Sequence, residues 1–340
     1  MWQVYGQDHI LRHIEASLEQ GRAAHAYLLV GPPHVGKMTL ALNLAQGVNC
    51  LRGPGEPCGD CGQCTRIARG HHADLRVVGL GRSEEGEPAK TVVGIGDVRE
   101  VLRQVNLKPY EGACTVIIFD RAELMSEDAA NALLKTLEEP PQQVLILLLT
   151  ADAEGILPTV RSRCRSLVLL PLPKDKMVET LVKVHRTGPE EAERLSRLAR
   201  GCPGWAITAL AEGEEVLEHR EAELDRLKET CESGLNARFN YAGELATMFS
   251  KDRDSAKQQL FLWLRWWRDL LLIKEGGEAY VLNIDRQSDL SMQAAQLTSV
   301  QIVRFVKRLL ETLEALDRNA RARLALEMLM LDLPITTVKT

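Results

Sequence analysis

Continuous apolar runs, rather than alternating ones, mark the first half of the chain. Residues 26–30, 114–119 and 144–150 are apolar at nearly every position, the pattern of strands covered on both faces. Residues 75–80 and 167–170 predict two further strands. Between these runs, spacings of three and four predict helices over 7–18, 39–48, 97–104 and 127–137. Ser126 is placed to N-cap the last of these, and Pro140 with Pro141 to end it. Residues 53–62 are rich in Gly, Pro and Cys without periodicity, and 81–89 read as a polar exposed loop. Strands alternating with helices predict an α/β fold, a parallel sheet covered by helices. After Pro171 the pattern turns helical, over 174–186, 189–200 and 205–210, with Gly201 placed as a C-cap. From Glu214 onward it is helical almost throughout, with apolar stripes over 260–273 and 299–316 and a last helix over 321–331. The expected division is an α/β domain over 1–170, a small helical domain over 171–211 and an all-helical bundle over 212–340.

Composition narrows the function classes. The 340 residues carry 42 Lys and Arg against 47 Asp and Glu, a net charge of −5. That balance excludes a uniformly basic nucleic-acid binder, so any such contact rests on a local patch. The longest apolar run, 144–149, is strand-sized, far short of a bilayer span. Residues 1–6 have neither the basic start nor the apolar stretch of a signal peptide, and a cytoplasmic protein is expected.

Four of the eight cysteines cluster as Cys50-x7-Cys58-x2-Cys61-x2-Cys64. Two overlapping Cys-x2-Cys steps supply three thiolates and Cys50 a fourth, the donor set of a structural tetrahedral Zn²⁺. An iron–sulfur cluster and disulfides are the other uses of such a cluster, and a reducing compartment disfavours disulfides. His71 and His72, nearby, read as ordinary surface residues.

Gly31-Pro32-Pro33-His34-Val35-Gly36-Lys37 follows one predicted strand and opens a helix, the context of a phosphate-binding loop. Gly31 and Gly36 let backbone amides turn toward phosphate oxygens, the helix N-terminus adds positive potential, and Lys37 would reach the β- and γ-phosphates. The next residue is Met38, where a Ser or Thr hydroxyl would hold Mg²⁺. Thr39 lies about 100° further round the helix and is a candidate contact to the α-phosphate. Asp120 closes a buried strand where a metal-orienting aspartate belongs, yet Arg121 follows it, and Glu123 need not face the same site. Thr150, ending another strand, fits either a γ-phosphate contact or an ordinary strand end. Lys37 and the glycines argue for ATP binding, and these substitutions argue that it is weak or absent.

The run Asn131-Ala132-Leu133-Leu134-Lys135-Thr136-Leu137-Glu138-Glu139-Pro140-Pro141, followed by Arg161-Ser162-Arg163-Cys164, resembles the clamp-loader branch of the AAA+ ATPases. Gly6-Gln7, His25-Ala26-Tyr27-Leu28 and the late Asn319-Ala320-Arg321-Ala322-Arg323-Leu324-Ala325-Leu326-Glu327 extend the resemblance over almost the whole chain. The resemblance implies an AAA+ P-loop domain with an inserted zinc module at 50–64, a helical lid, and a helical collar that joins subunits. It also implies that Arg163 is an arginine finger, reaching into a neighbouring subunit's ATP site in trans. Arg161 and Arg165 would support it. Motor subunits of this family carry Thr after the P-loop Lys, Glu after the strand-end Asp, and an Arg within the segment matching 201–206. Met38, Arg121 and Gly204 stand there instead. The long Pro-rich tail of the tau motor is absent too. The resemblance therefore implies a non-motor subunit of the DNA polymerase III clamp loader, without efficient catalysis of its own. Its partners would be gamma/tau and delta subunits, the sliding clamp, and primer–template DNA held by the assembled complex. The alternative is an active gamma/tau-type motor ATPase. Arg99 and Arg103, four apart on a predicted helix, fit either a solvated face or a phosphate contact. Trp263 and Trp267 share a helical stripe and read as bundle core.

Overall fold

The computed structural model describes the chain except residues 81–91, 106–107, 212, 319 and 337–340. The loop expected at 81–89 and Asn319 of the late motif lie outside the described residues. The chain forms two compact units, one of Met1–Gly188 with Ala199–Ala206, the other of Pro189–Leu198 with Ile207–Thr340.

In the first unit the elements run Asp8–Glu19 (α1), Ala26–Val30 (β1), Lys37–Asn49 (α2), Gly62–Ala68 (α3), Leu75–Val78 (β2) and Ile95–Val105 (α4). Thr115–Phe119 (β3), Glu127–Glu138 (α5), Val144–Thr150 (β4), Pro158–Arg161 (α6), Arg165–Val168 (β5) and Lys174–Lys183 (α7) follow. All five strands are parallel, in the order β2-β3-β4-β1-β5. The unbroken apolar runs explain this: β3 and β4 are buried at every position because helices cover both faces. Tyr27, Leu29, Ile118 and Leu147 pack with Ile10, Ile14, Leu40 and Leu44 of α1 and α2 on one side. Leu28, Ile117, Phe119 and Ile146 pack with Val98, Leu133 and Leu137 of α4 and α5 on the other. Ser126 caps α5 as expected, its side chain accepting from the Ala129 N–H. The expected α/β fold with a helical second half is present.

β5 starts two residues earlier than the apolar pattern suggests. It is an edge strand pairing only with β1, Tyr27 opposite Arg165 and Val30 opposite Val168, so only Leu167 needs burial. Pro189–Ala199 (α8) and Pro203–Ala211 (α9) carry the chain between the units. Gly201, at φ +77°, allows the turn between them; a Cβ there would lie 2.5 Å from the Leu172 carbonyl oxygen.

The second unit contains Glu214–Glu232 (α10), Leu235–Lys251 (α11), Arg253–Lys274 (α12), Gln287–Gln296 (α13), Ser299–Asp317 (α14) and Ala322–Asp332 (α15). Its core is aromatic. Trp263 stacks on Tyr241 at 5.7 Å and Trp267 tilts against Phe305 at 4.5 Å. Trp266 is buried with them and donates to Gln293 Oε1. Among the described residues no helix is long and apolar enough to cross a membrane.

Candidate functional site

In a parallel sheet the strand ends separate into two poles, and the candidate residues divide between them. At the carboxyl pole, the Gly31 N–H donates to the Thr150 carbonyl at 3.1 Å, fixing the P-loop beside the end of β4. Gly31 is confined by contact, since a Cβ would lie 2.7 Å from the Leu169 carbonyl oxygen. Gly36 begins α2 at φ +107°. Lys37 turns its ammonium back onto the loop, donating to the Gly31 and Pro32 carbonyls at 2.5 and 2.9 Å. Burial holds the Lys37 pKa below its ordinary value and Arg121 adds to this, while Glu123 and Asp120 pull it upward. Glu123 is therefore close enough to act on the Lys37 charge, a proximity that its position in sequence left open. The 3-10 turn over Ala122–Leu124 carries it round. One of its oxygens is buried without a hydrogen-bond partner, and the other accepts from the Ala151 N–H at 3.4 Å.

Met38 lies against the core beneath the loop. Thr39 is half-buried. The Thr150 hydroxyl is engaged in a local turn, donating to the Asp152 carbonyl at 2.7 Å and accepting from the Asp152 N–H. The start of α9 also reaches the loop. The Gly204 N–H donates to the His34 carbonyl at 2.9 Å, and a Cβ at Gly204 would lie 2.9 Å from that same oxygen. Burial, then Lys37 and Arg121, lower the His34 pKa. The pole thus has the loop and lysine expected of a phosphate cradle, but three cationic or potentially cationic groups crowd it where a metal ion would need anionic and hydroxyl ligands.

Arg163 lies at the opposite, amino pole, just ahead of β5. Arg165 is level with Tyr27 at the start of β1. Gly31 follows four residues further along, about 13 Å at 3.3 Å per residue. Arg163 Nη2 pairs with Glu138 Oε1 at 2.6 Å, and Nη1 donates to the Thr159 carbonyl at 2.8 Å. Two motif segments distant in sequence, the end of α5 and the turn after α6, therefore meet at this guanidinium. Glu138 is a residue that the motif contained but whose position beside Arg163 only the fold reveals. Arg161 pairs with Glu154 at 2.7 Å, and Arg165 bonds His13. Arg99 and Arg103 are exposed on α4, away from its buried Val98 and Val101.

The sulfurs of Cys50, Cys58, Cys61 and Cys64 all lie within 4.8 Å of one another. A tetrahedral site with metal–sulfur bonds of 2.3 Å needs separations of about 3.8 Å, and Cys58 and Cys64 stand at 3.9 Å. The Cys61 and Cys64 N–H groups point at the Cys58 and Cys61 sulfurs at 3.4 and 3.5 Å. Burial raises the Cys61 thiol pKa, but the Cys64 and Leu51 backbone N–H groups, with the Cys64 and Cys58 side chains, outweigh it and bring it to about 6. All eight cysteines are free thiols in this structure. The set can hold one tetrahedral metal ion.

His72 corrects the surface reading. It is buried, with Nδ1 accepting from the Asp74 N–H and Nε2 against Gln63. Asp74 in turn accepts from the N–H groups of Tyr110, Glu111 and Gly112. These bonds tie the cysteine module to the segment leading into β3.

The family profile described as DNA polymerase III, delta subunit matches residues 6–173. The DNA polymerase III subunit delta' of Bacillus subtilis (strain 168) is 28% identical over 325 residues, 96% of this chain and 95% of that protein. The tau/gamma subunit of Haemophilus influenzae is 35% identical over 204 residues, 59% of this chain but only 28% of that protein. A DNA polymerase III gamma subunit-related protein from Thermotoga maritima aligns over 96% of this chain and 97% of its own, at 21% identity and a TM-score of 0.47. Residues 6–173 thus match the DNA polymerase III, delta subunit profile, and almost the whole chain is similar to a DNA polymerase III subunit delta'.

Proposed function

We propose that this chain is a delta-prime-type, non-motor subunit of a bacterial clamp loader. In this reading it presents Arg163 to a neighbouring ATPase subunit while the sliding clamp is loaded onto primed DNA. The observation that carries the reading is the separation of poles. Arg163 sits at the amino end of the sheet, so it cannot serve the P-loop of its own chain at the carboxyl end. A finger supplied in trans needs a permanently charged, bidentate donor on a rigid element, which suits Arg163 between α6 and β5. Its own P-loop lacks a hydroxyl after Lys37, has Arg121 after Asp120, and meets Gly204 instead of an arginine.

Residues 1–170 would form the AAA+ domain, 171–211 a lid, and 212–340 a collar contacting gamma/tau and delta subunits. The cysteine cluster would hold a structural Zn²⁺ whose chemistry is to cross-link the end of α2 to α3. ATP, if bound at all, would contact Gly31, Gly36, Lys37 and Thr39 weakly, with Asp120 and Thr150 nearby.

Reconstitution tests the reading. In a complex with motor subunits, Arg163→Ala should lower turnover at the site it serves by about 10³-fold while assembly is unchanged; undiminished hydrolysis sinks the finger assignment. The second reading, an active gamma/tau-type motor, is favoured by the 35% identity to tau/gamma over 204 residues. ATP hydrolysis by the isolated chain at motor-like rates would establish it.

A further inference from the structure

We propose that Glu138 is a positioning residue that holds the Arg163 guanidinium at rest and so restrains its delivery to a neighbouring subunit. This rests on the reading of Arg163 as a trans-acting finger. The observation is that both terminal nitrogens of Arg163 are already engaged. Nη2 pairs with Glu138 Oε1 at 2.6 Å, and Nη1 donates to the Thr159 carbonyl at 2.8 Å and to Ser162 Oγ at 3.4 Å. A phosphoryl oxygen recruits the same fork of N–H donors as a carboxylate does. Arg163 therefore cannot engage a transferring phosphoryl group without giving up Glu138. The backbone acceptor Thr159 is neutral and local to the turn, so Glu138 supplies the charged part of the restraint.

Glu138 is well placed for this. It ends α5, and Pro140 and Pro141 follow before β4 begins at Val144. The pair is open to solvent, with side-chain exposures of 35% and 51%. Such pairs are weak, so the restraint is one that a docking subunit can displace. Held this way, the finger would stay off the neighbouring site until the interface closes.

The test uses the reconstituted complex with motor subunits, assayed for ATP hydrolysis without DNA. Glu138→Gln should raise basal kcat by about two- to fivefold, the range expected for losing one exposed pair. KM for ATP should not change, and Glu138→Asp should restore the basal rate. In an Arg163→Ala background Glu138→Gln should have no effect, a result that a merely structural role would not produce. An unchanged or lower kcat in Glu138→Gln, or an increase that persists without Arg163, overturns the proposal. If Arg163→Ala lowers hydrolysis while Glu138→Gln changes nothing, the finger stands and the restraint alone falls. If Arg163→Ala is itself without effect, both fall.

Discussion

Replacing Arg238 with Ala should cost the C-terminal unit more stability than removing almost any other charged side chain in it. Arg238 is 2% exposed, and its guanidinium donates to four backbone carbonyls. From the first turn of α11 it reaches back to the end of α10, donating to Thr230, Cys231 and Ser233 at 2.8 to 3.1 Å. Its remaining arm donates to the Leu333 carbonyl, just past α15, at 2.6 Å. One guanidinium thus satisfies the carbonyl ends of two helices and places a cation where both dipoles favour it. Bonds to a charged donor are worth about 1.5–3 kcal/mol each, but desolvating the cation offsets much of their sum. The alanine variant forfeits the bonds and strands buried carbonyls, for a net loss of about 3–5 kcal/mol. At roughly 3 °C per kcal/mol, the melting transition of this unit should fall by about 10 °C. Differential scanning calorimetry of the full chain measures it. Arg238→Lys, which keeps the charge but cannot span both helix ends, should lie between. A loss under about 1 kcal/mol for Arg238→Ala would refute the argument, because it would mean that water replaces the guanidinium at no cost.

Other consequences are equally specific. Cys64→Ser should reduce bound zinc from about one per chain to well below that by elemental analysis, since one of four tetrahedral sulfurs is lost. Zinc retained at full stoichiometry would remove Cys64 from the ligand set. Acid should weaken the N-terminal unit, because both members of the His72–Asp74 pair bind more protons when unfolded. Burial pulls the His72 pKa below 6.5 against the opposing charges of Glu111 and Asp74, so its contribution is complete above pH 6.5 and declines below it. For Asp74, burial raises the pKa but three backbone donors outweigh it, so its contribution declines as pH drops below 3.8. His72→Asn should flatten the first part of that profile in thermal melts, and an unaltered slope would count against the burial argument. Gly204→Arg should not create a motor. Its Cβ would press on the His34 carbonyl at 2.9 Å, lowering N-terminal stability by about 1–3 kcal/mol without conferring ATP hydrolysis.

What the sequence disclosed depended on how local each cause is. The central strands were legible because burial on both faces leaves an unbroken apolar run, and β1, β3 and β4 sit close to where that pattern puts them. The start of β5 was not, because an edge strand needs only Leu167 inside and its flanking Arg165, Ser166 and Val168 are exposed. The helix α3 was hidden in a Gly- and Cys-rich stretch whose order comes from backbone donors to sulfur rather than from periodicity. His72 looked like a surface residue because its partners, Gln63, Asp74 and Glu111, come from separate segments that only folding brings together.

The same distinction explains why the candidate site was half readable. The cradle residues Gly31, Gly36 and Lys37 are contiguous, so one stretch of sequence carries both the turn and the charge. What the cradle lacks is also contiguous: Met38 beside Lys37, and Arg121 beside Asp120. The groups that modify each charge are not. Glu123 comes near enough to raise the Lys37 pKa only through the 3-10 turn that follows Asp120. Glu138 reaches Arg163 only because α5 and the turn after α6 end at the same pole of the sheet. A parallel sheet sorts its loops by strand end, and no local pattern encodes that sorting. It is this sorting, rather than the motif itself, that separates Arg163 from its own P-loop, and the proposal of a site on a neighbouring subunit rests on it.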